Sequence, residues 1–113
     1  MNGVKRMNLW AMAAATAISF PAGAADIIIS QKEKTFILNG EHVEELTVNA
    51  GDTVHFKNED PFFHNIFSLS DLKTFDLGSY PAGESKSITF EEPGEAEIEC
   101  AIHPAMYMII EVQ

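Results

Sequence analysis

Glu95-Ala96-Glu97-Ile98-Glu99-Cys100 runs through the loop Ala101-Ile102-His103-Pro104-Ala105-Met106 into Tyr107-Met108-Ile109-Ile110-Glu111-Val112. Successive side chains of a β-strand point to opposite faces. Glu95, Glu97 and Glu99 therefore share one face of the first segment, and Ala96, Ile98 and Cys100 share the other. Cys100 points inward at the end of its strand. In the second segment Met106, Met108, Ile110 and Val112 share a face in the same way. The loop joining these last two strands concentrates a thiol, an imidazole and thioethers in a few residues, which is where chemistry is expected.

Working outward, the chain from Ala25 onward shows short apolar runs separated by turn residues and no helix-length periodicity, the punctuation of an all-β sandwich or barrel. Strands are predicted over 26–30, 35–38, 45–48, 53–57, 65–67, 85–90, 95–100 and 107–112. The turn signals are Asn39-Gly40, Ala50-Gly51-Asp52, Asn58-Glu59-Asp60-Pro61, Pro81-Ala82-Gly83 and Pro93-Gly94. In Thr53-Val54-His55-Phe56-Lys57, Val54 and Phe56 face the core and His55 faces solvent. The stretch Ser68 to Ser79 alternates weakly; Ser70-Asp71-Leu72-Lys73 reads as a loop or one helical turn, with Leu69, Leu72, Phe75 and Leu77 covering one end of the core.

The N-terminus reads as an address. Lys5 and Arg6 precede an apolar run from Met7 to Phe20, and Pro21-Ala22-Gly23-Ala24 supplies a small-residue cleavage site, the parts of a secretory signal peptide. The run is too short to span a bilayer comfortably. Cutting after Ala24 leaves residues 25–113 as one domain with one modest core. It would carry five basic residues against seventeen acidic ones, a net charge of −12. That balance argues against nucleic acid and anionic membrane surfaces as partners, and it suits either a basic protein partner or simply an acidic, solvated surface. Small exported domains usually add disulfides or a metal, yet Cys100 is the only cysteine. A lone thiol in an oxidising compartment is a liability unless it is buried, paired with another chain or occupied by a metal.

A soft thiolate, an imidazole and a thioether suit copper better than calcium, magnesium or a structural zinc. Trigonal His₂Cys coordination with a weak axial Met would complete such a site, so the loop is one histidine short. His64, in Pro61-Phe62-Phe63-His64-Asn65-Ile66-Phe67-Ser68, is the candidate. Taken alone it reads equally well as a core histidine; taken with Cys100-x-x-His103 it reads as a ligand.

With His64-Asn65, Cys100, His103 and Met106 in this order, the chain resembles the cupredoxins, the type 1 blue copper proteins, and among them the amicyanins, with plastocyanins and pseudoazurins as relatives. Ala50-Gly51-Asp52-Thr53-Val54 and the Pro93-Gly94 turn belong to the same likeness, which covers nearly all of the chain after the leader. The resemblance implies a Greek-key β-sandwich of about eight strands with one copper ion at one end, held by His64, Cys100, His103 and Met106. It further implies that His64 is buried while His103 reaches the surface through an apolar patch of Pro61, Phe62, Pro104, Ala105 and Tyr107. It makes the chain a monomeric periplasmic one-electron carrier between redox proteins, such as an amine dehydrogenase and a c-type cytochrome, docking near His103. Asn65 would tie the first-histidine loop to the ligand loop. Met106 matches the amicyanin spacing and Met108 the longer plastocyanin spacing, so the axial position lies between them, with Met106 ahead. Ile102 stands where many relatives have proline, which leaves an N–H free to approach the thiolate.

An enzyme is not expected. Cys100 and His103 share one short loop without an orienting Asp or Asn, and multicopper enzymes of this fold need further domains and histidines, whereas His42 and His55 read as surface residues. The alternative is a periplasmic protein for copper storage or delivery, with Met106 and Met108 as a Cu(I) pair; the burial expected for Cys100 speaks against it.

Overall fold

The computed structural model describes residues 23–113. The leader expected over 1–24 lies, but for its last two residues, outside them. Ten strands follow in order: β1 (Asp26–Lys32), β2 (Thr35–Leu38), β3 (Glu41–His42), β4 (Glu45–Val48), β5 (Thr53–Asn58), β6 (His64–Ser70), β7 (Lys73–Tyr80), β8 (Ser85–Thr89), β9 (Gly94–Glu99) and β10 (Tyr107–Val112). They form two five-stranded sheets, β4-β10-β9-β6-β7 and β3-β2-β1-β5-β8. β1 runs parallel to β5 and β10 parallel to β4, and every other recorded pairing is antiparallel.

The expected alternation holds where it was clearest. Ala96, Ile98 and Cys100 are buried, Glu95 and Glu97 are exposed, and Met106, Met108, Ile110 and Val112 all point inward. The register runs from Gly94 opposite Val112 to Glu99 opposite Tyr107. Ile29, Phe36, Val54 and Phe56 from one sheet meet Val48, Ile66, Ile98, Met108 and Ile110 from the other in a single core. Each large apolar side chain so buried contributes about 1.5–3 kcal/mol.

Two strands go beyond the eight expected. β3 is a two-residue edge piece. β7 replaces the loop or helical turn read over 68–79: only Asp71 and Leu72 turn, and Lys73 onward pairs with β6 from Ser70 back to His64, with an irregularity between Asn65 and Phe67. β7 is a half-buried edge strand whose one fully buried residue is Tyr80, so its face carries little apolar contrast. Leu72, Phe75 and Leu77 do pack on the core. Leu69 does not; it is exposed because Ile66 and Ser68 take the inward positions of β6. Among the described residues no helix is long and apolar enough to cross a membrane.

The residue before β1 is tied down by a buried carboxylate. Asp52 Oδ1 accepts the Ala25 N–H at 2.8 Å and Oδ2 accepts the Asn49 N–H at 2.9 Å. These two bonds, Ala25 first, hold its carboxyl below the ordinary 3.8 against the opposing effect of burial. A carboxyl whose pKa is lower folded than unfolded stabilises the fold above its ordinary value, and that stability is lost as pH falls through the folded value. Asp52→Asn is therefore expected to lower the denaturant midpoint at neutral pH and to flatten the loss of stability on acidification; an unchanged acid limb would count against this role.

Candidate metal centre

Two chain segments build the centre. His64 opens β6, where it lies opposite Tyr80 of β7, and its side chain is fully buried. Cys100 follows β9 and is buried on the inward face shared with Ala96 and Ile98, its thiol free of any disulfide. His103 sits in the loop, half-buried, where its N–H donates to the Cys100 carbonyl at 3.2 Å and its own carbonyl accepts the Met106 N–H at 2.8 Å. These two bonds coil the loop tightly enough to bring His103 back over Cys100.

The donor atoms converge. His64 Nδ1 lies 3.7 Å from Cys100 Sγ, His103 Nδ1 lies 3.8 Å from the same sulfur, and the two Nδ1 atoms are 3.1 Å apart. Among the described residues this trio is the only cluster of metal-ligating side chains of its kind. Metal–nitrogen bonds of about 2.0–2.1 Å and metal–sulfur bonds of about 2.3 Å place neighbouring ligand atoms about 3–4 Å apart, so the spacing fits one ion. Three electron-rich atoms at such distances also repel unless a proton or cation lies among them. The donor set of one thiolate and two imidazoles is the soft, nitrogen-containing set that copper favours.

The surroundings set the protonation of the ligands. Asp60, only 5% exposed, places Oδ2 2.7 Å from His64 Nε2. Burial pushes the Asp60 carboxyl up, but the His64 hydrogen bond and the backbone N–H groups of Lys34 and Glu33 outweigh it and hold the carboxyl below its ordinary value. An ionised carboxylate only accepts, so Nε2 donates to Asp60 and Nδ1 is the ring nitrogen left facing the cluster. Burial, then the His64 ring and the Lys34 ammonium, push the His103 imidazole below its ordinary 6.5 despite Asp60. His103 is neutral at neutral pH, as a ligand must be.

Asn65 does what was expected of it: its Oδ1 accepts the Ala101 N–H at 2.8 Å, joining β6 to the ligand loop. Met106 and Met108 are both buried. Phe62 packs its ring 5.4 Å from His64 and 5.1 Å from His103, while Pro61, Pro104 and Ala105 are exposed beside it. Tyr107 leaves this patch. As the first residue of β10 it alternates away from Met106 and Met108 onto the outer face, opposite Glu99 and near Glu97. Phe63 and Ile102, 53% and 46% exposed, are the larger apolar groups at the surface of these two segments. The Ile102 N–H is not a partner of the thiolate, whose recorded contacts are the two ring nitrogens. His55 pairs with Asp26 at 2.8 Å and His42 lies 3.8 Å from Glu44, both outside the cluster as expected.

The profile of the copper-binding proteins of the plastocyanin/azurin family matches residues 41–113, from β3 through the whole ligand loop to the end of the chain. The chain belongs to that family. Copper is thus the cofactor on which the family and the donor set agree. No curated protein matches the sequence, but solved structures do match the fold. A methionine-to-alanine variant of amicyanin in its Cu(I) form superposes with a TM-score of 0.69 at 22% identity, over 78% of this chain and 82% of that one. A reduced tryptophan-to-tyrosine variant of amicyanin gives 0.68 at 24% identity, over 83% and 86%. The sandwich is therefore a cupredoxin fold, with β3 and β7 as edge strands of its two sheets.

Removing the Asn65 acceptor leaves the Ala101 N–H without its protein partner. Asn65→Ala is expected to destabilise the domain by about 1 kcal/mol, read as a lower denaturant midpoint with an unchanged slope.

Proposed function

We propose that this cupredoxin is an exported one-electron carrier whose single copper is held by His64, Cys100, His103 and Met106. The observation that carries the reading is the cluster itself: three donors from two segments, 3.1–3.8 Å apart, two of them fully buried. Electron transfer is fast when little moves as the electron arrives, and His64 and Cys100 are buried in the core with Asp60 and Asn65 bracing their segments by hydrogen bonds. Bound copper supplies the Cu(II)/Cu(I) couple. His64 is oriented by Asp60, Cys100 is fixed at the end of β9, and Asn65 ties the two segments together.

Register favours Met106 as the axial ligand. Glu99 pairs with Tyr107, so continuing the ladder by one residue sets Met106 opposite Cys100, on the same inward face. Met108 pairs with Ile98, a full two-residue step further into the core, where it serves packing.

His103, the ligand nearest the surface, is the route for electrons, through the patch of Pro61, Phe62, Pro104 and Ala105. The partners in this reading are redox proteins such as a dehydrogenase and a c-type cytochrome, with a basic surface complementary to the net −12 of residues 25–113, bound by a monomer in the periplasm after the leader is cut behind Ala24. Storage or delivery of copper is the less favoured role, because Cys100 and His64 are closed off from an acceptor.

The mature protein with added Cu(II) is expected to show an intense visible band that vanishes in Cys100→Ala and bleaches reversibly on reduction without loss of copper. Met106→Leu should alter the band and the potential, whereas Met108→Leu should cost stability with little change in colour. Copper bound without the band, or passed readily to an acceptor, would support delivery instead.

A further inference from the structure

Behind His64 lies a buried polar layer that the ligand pattern does not account for. Asp60 Oδ1 accepts the Glu33 N–H at 2.6 Å, and Oδ2 accepts the Lys34 N–H at 3.1 Å as well as the His64 Nε2–H. Its own N–H donates to Asn58 Oδ1 at 2.9 Å, and Asn58 Nδ2 donates to the carbonyls of Phe62 and Tyr80. Asp60 is thus fixed from both sides, by its own strand end and by the β1–β2 hairpin.

That hairpin is an unusual one. Lys32 pairs with Thr35, so Glu33 and Lys34 form a two-residue turn, with φ of 54° and 60°. Such mirror-image turns favour Asn and Gly, and a side chain in this region costs roughly 1–2 kcal/mol per residue. In return, two successive N–H groups form a concavity for an anion, and the Asp60 carboxylate occupies it. A buried charge is expensive unless it is paired and hydrogen-bonded. An asparagine could accept the His64 Nε2–H without carrying charge, so the charge itself calls for a use.

We propose that Asp60, cradled by the Glu33–Lys34 amides, is a positioning and potential-setting residue: it turns His64 Nδ1 toward Cys100 and His103 and favours the more highly charged, oxidised state of the metal. The proposal rests on the copper reading above. A fixed negative charge beyond the imidazole stabilises Cu(II) over Cu(I), and the same bond sets the tautomer that a metal-ligating histidine needs.

Two measurements separate the parts. Nitrogen-15 NMR of the copper-free protein should show His64 protonated at Nε2, and Asp60→Leu should abolish that preference; a wild-type ring protonated at Nδ1 would overturn the positioning role. Voltammetry of Asp60→Asn, which keeps size and an acceptor, should show the blue band retained and the equilibrium displaced about tenfold toward Cu(I), a rise of about 59 mV for one electron. Glu33→Gly, which keeps the N–H donated to Asp60 and relieves the turn, should leave the potential unchanged. An unaltered potential in an Asp60→Asn protein that keeps its band overturns the proposal alone, whereas a wild-type protein without any such band overturns the copper reading and the potential-setting role with it.

Discussion

One hydrogen bond, from the Ala101 N–H to the Asn65 side-chain oxygen, joins segments 36 residues apart and governs how the rest of the site closes. Next to it, β6 and β9 share a single recorded register pair, Glu99 with Phe67. The sheet itself thus pins the neighbouring strands only lightly at this end. Asn65 extends the seam by one side chain, and the residues just before the two bonded ones, His64 and Cys100, bring their side chains together, with Sγ 3.7 Å from Nδ1. Backbone pairing sets the positions, a side chain locks them, and the ligands follow.

Most of the polar groups of the interior lie at one corner. Apolar residues fill the middle of the sandwich; of the six buried polar residues among the described ones, Asp52 and Ser68 stand apart, while Asn58, Asp60 and His64 form one hydrogen-bonded group, and Asn58 also donates to the carbonyl of Tyr80, whose hydroxyl donates to Gln31. Burial pushes the Tyr80 hydroxyl well above its ordinary value, reinforced by Cys100 nearby, so it remains a neutral donor. Satisfied buried networks rigidify a fold; here Gln31 accepts through Oε1 and its Nε2 is buried without a partner, whereas Asn58, Asp60 and His64 have theirs. Concentrating them behind one ligand makes that corner stiff, while the exposed glutamates of the outer face keep the remainder soluble.

Much of this was legible in the sequence because β-strands advertise their faces. Glu95 to Cys100 alternates so cleanly that the inward thiol could be read directly, and the Cys-x-x-His spacing did the same for His103. His64 required the downstream loop to distinguish it from a core histidine. β7 escaped because an edge strand with one half-buried face offers no contrast between its sides. Asp60 escaped for a different reason: it reads as part of an Asn58-Glu59-Asp60-Pro61 turn, and the amides that bury it come from residues 26 and 27 positions earlier. Proximity of that sort is created by the parallel pairing of β1 with β5, which no local pattern announces. The one available sign was a histidine four residues after an aspartate beside an apolar run.

The bond between Ala25 and Asp52 bears on how such a protein matures. In the precursor the Ala25 nitrogen is an ordinary amide, and its bond to the buried carboxylate joins a neutral donor to a charge. Under the cleavage proposed above, behind Ala24, that nitrogen would become an ammonium and the same contact a charge-assisted ion pair, a stronger class of bond. The folded state would then be favoured more after such a cut than before it, so that the proposed processing would act as a one-way latch, loose before release and drawn tight after it.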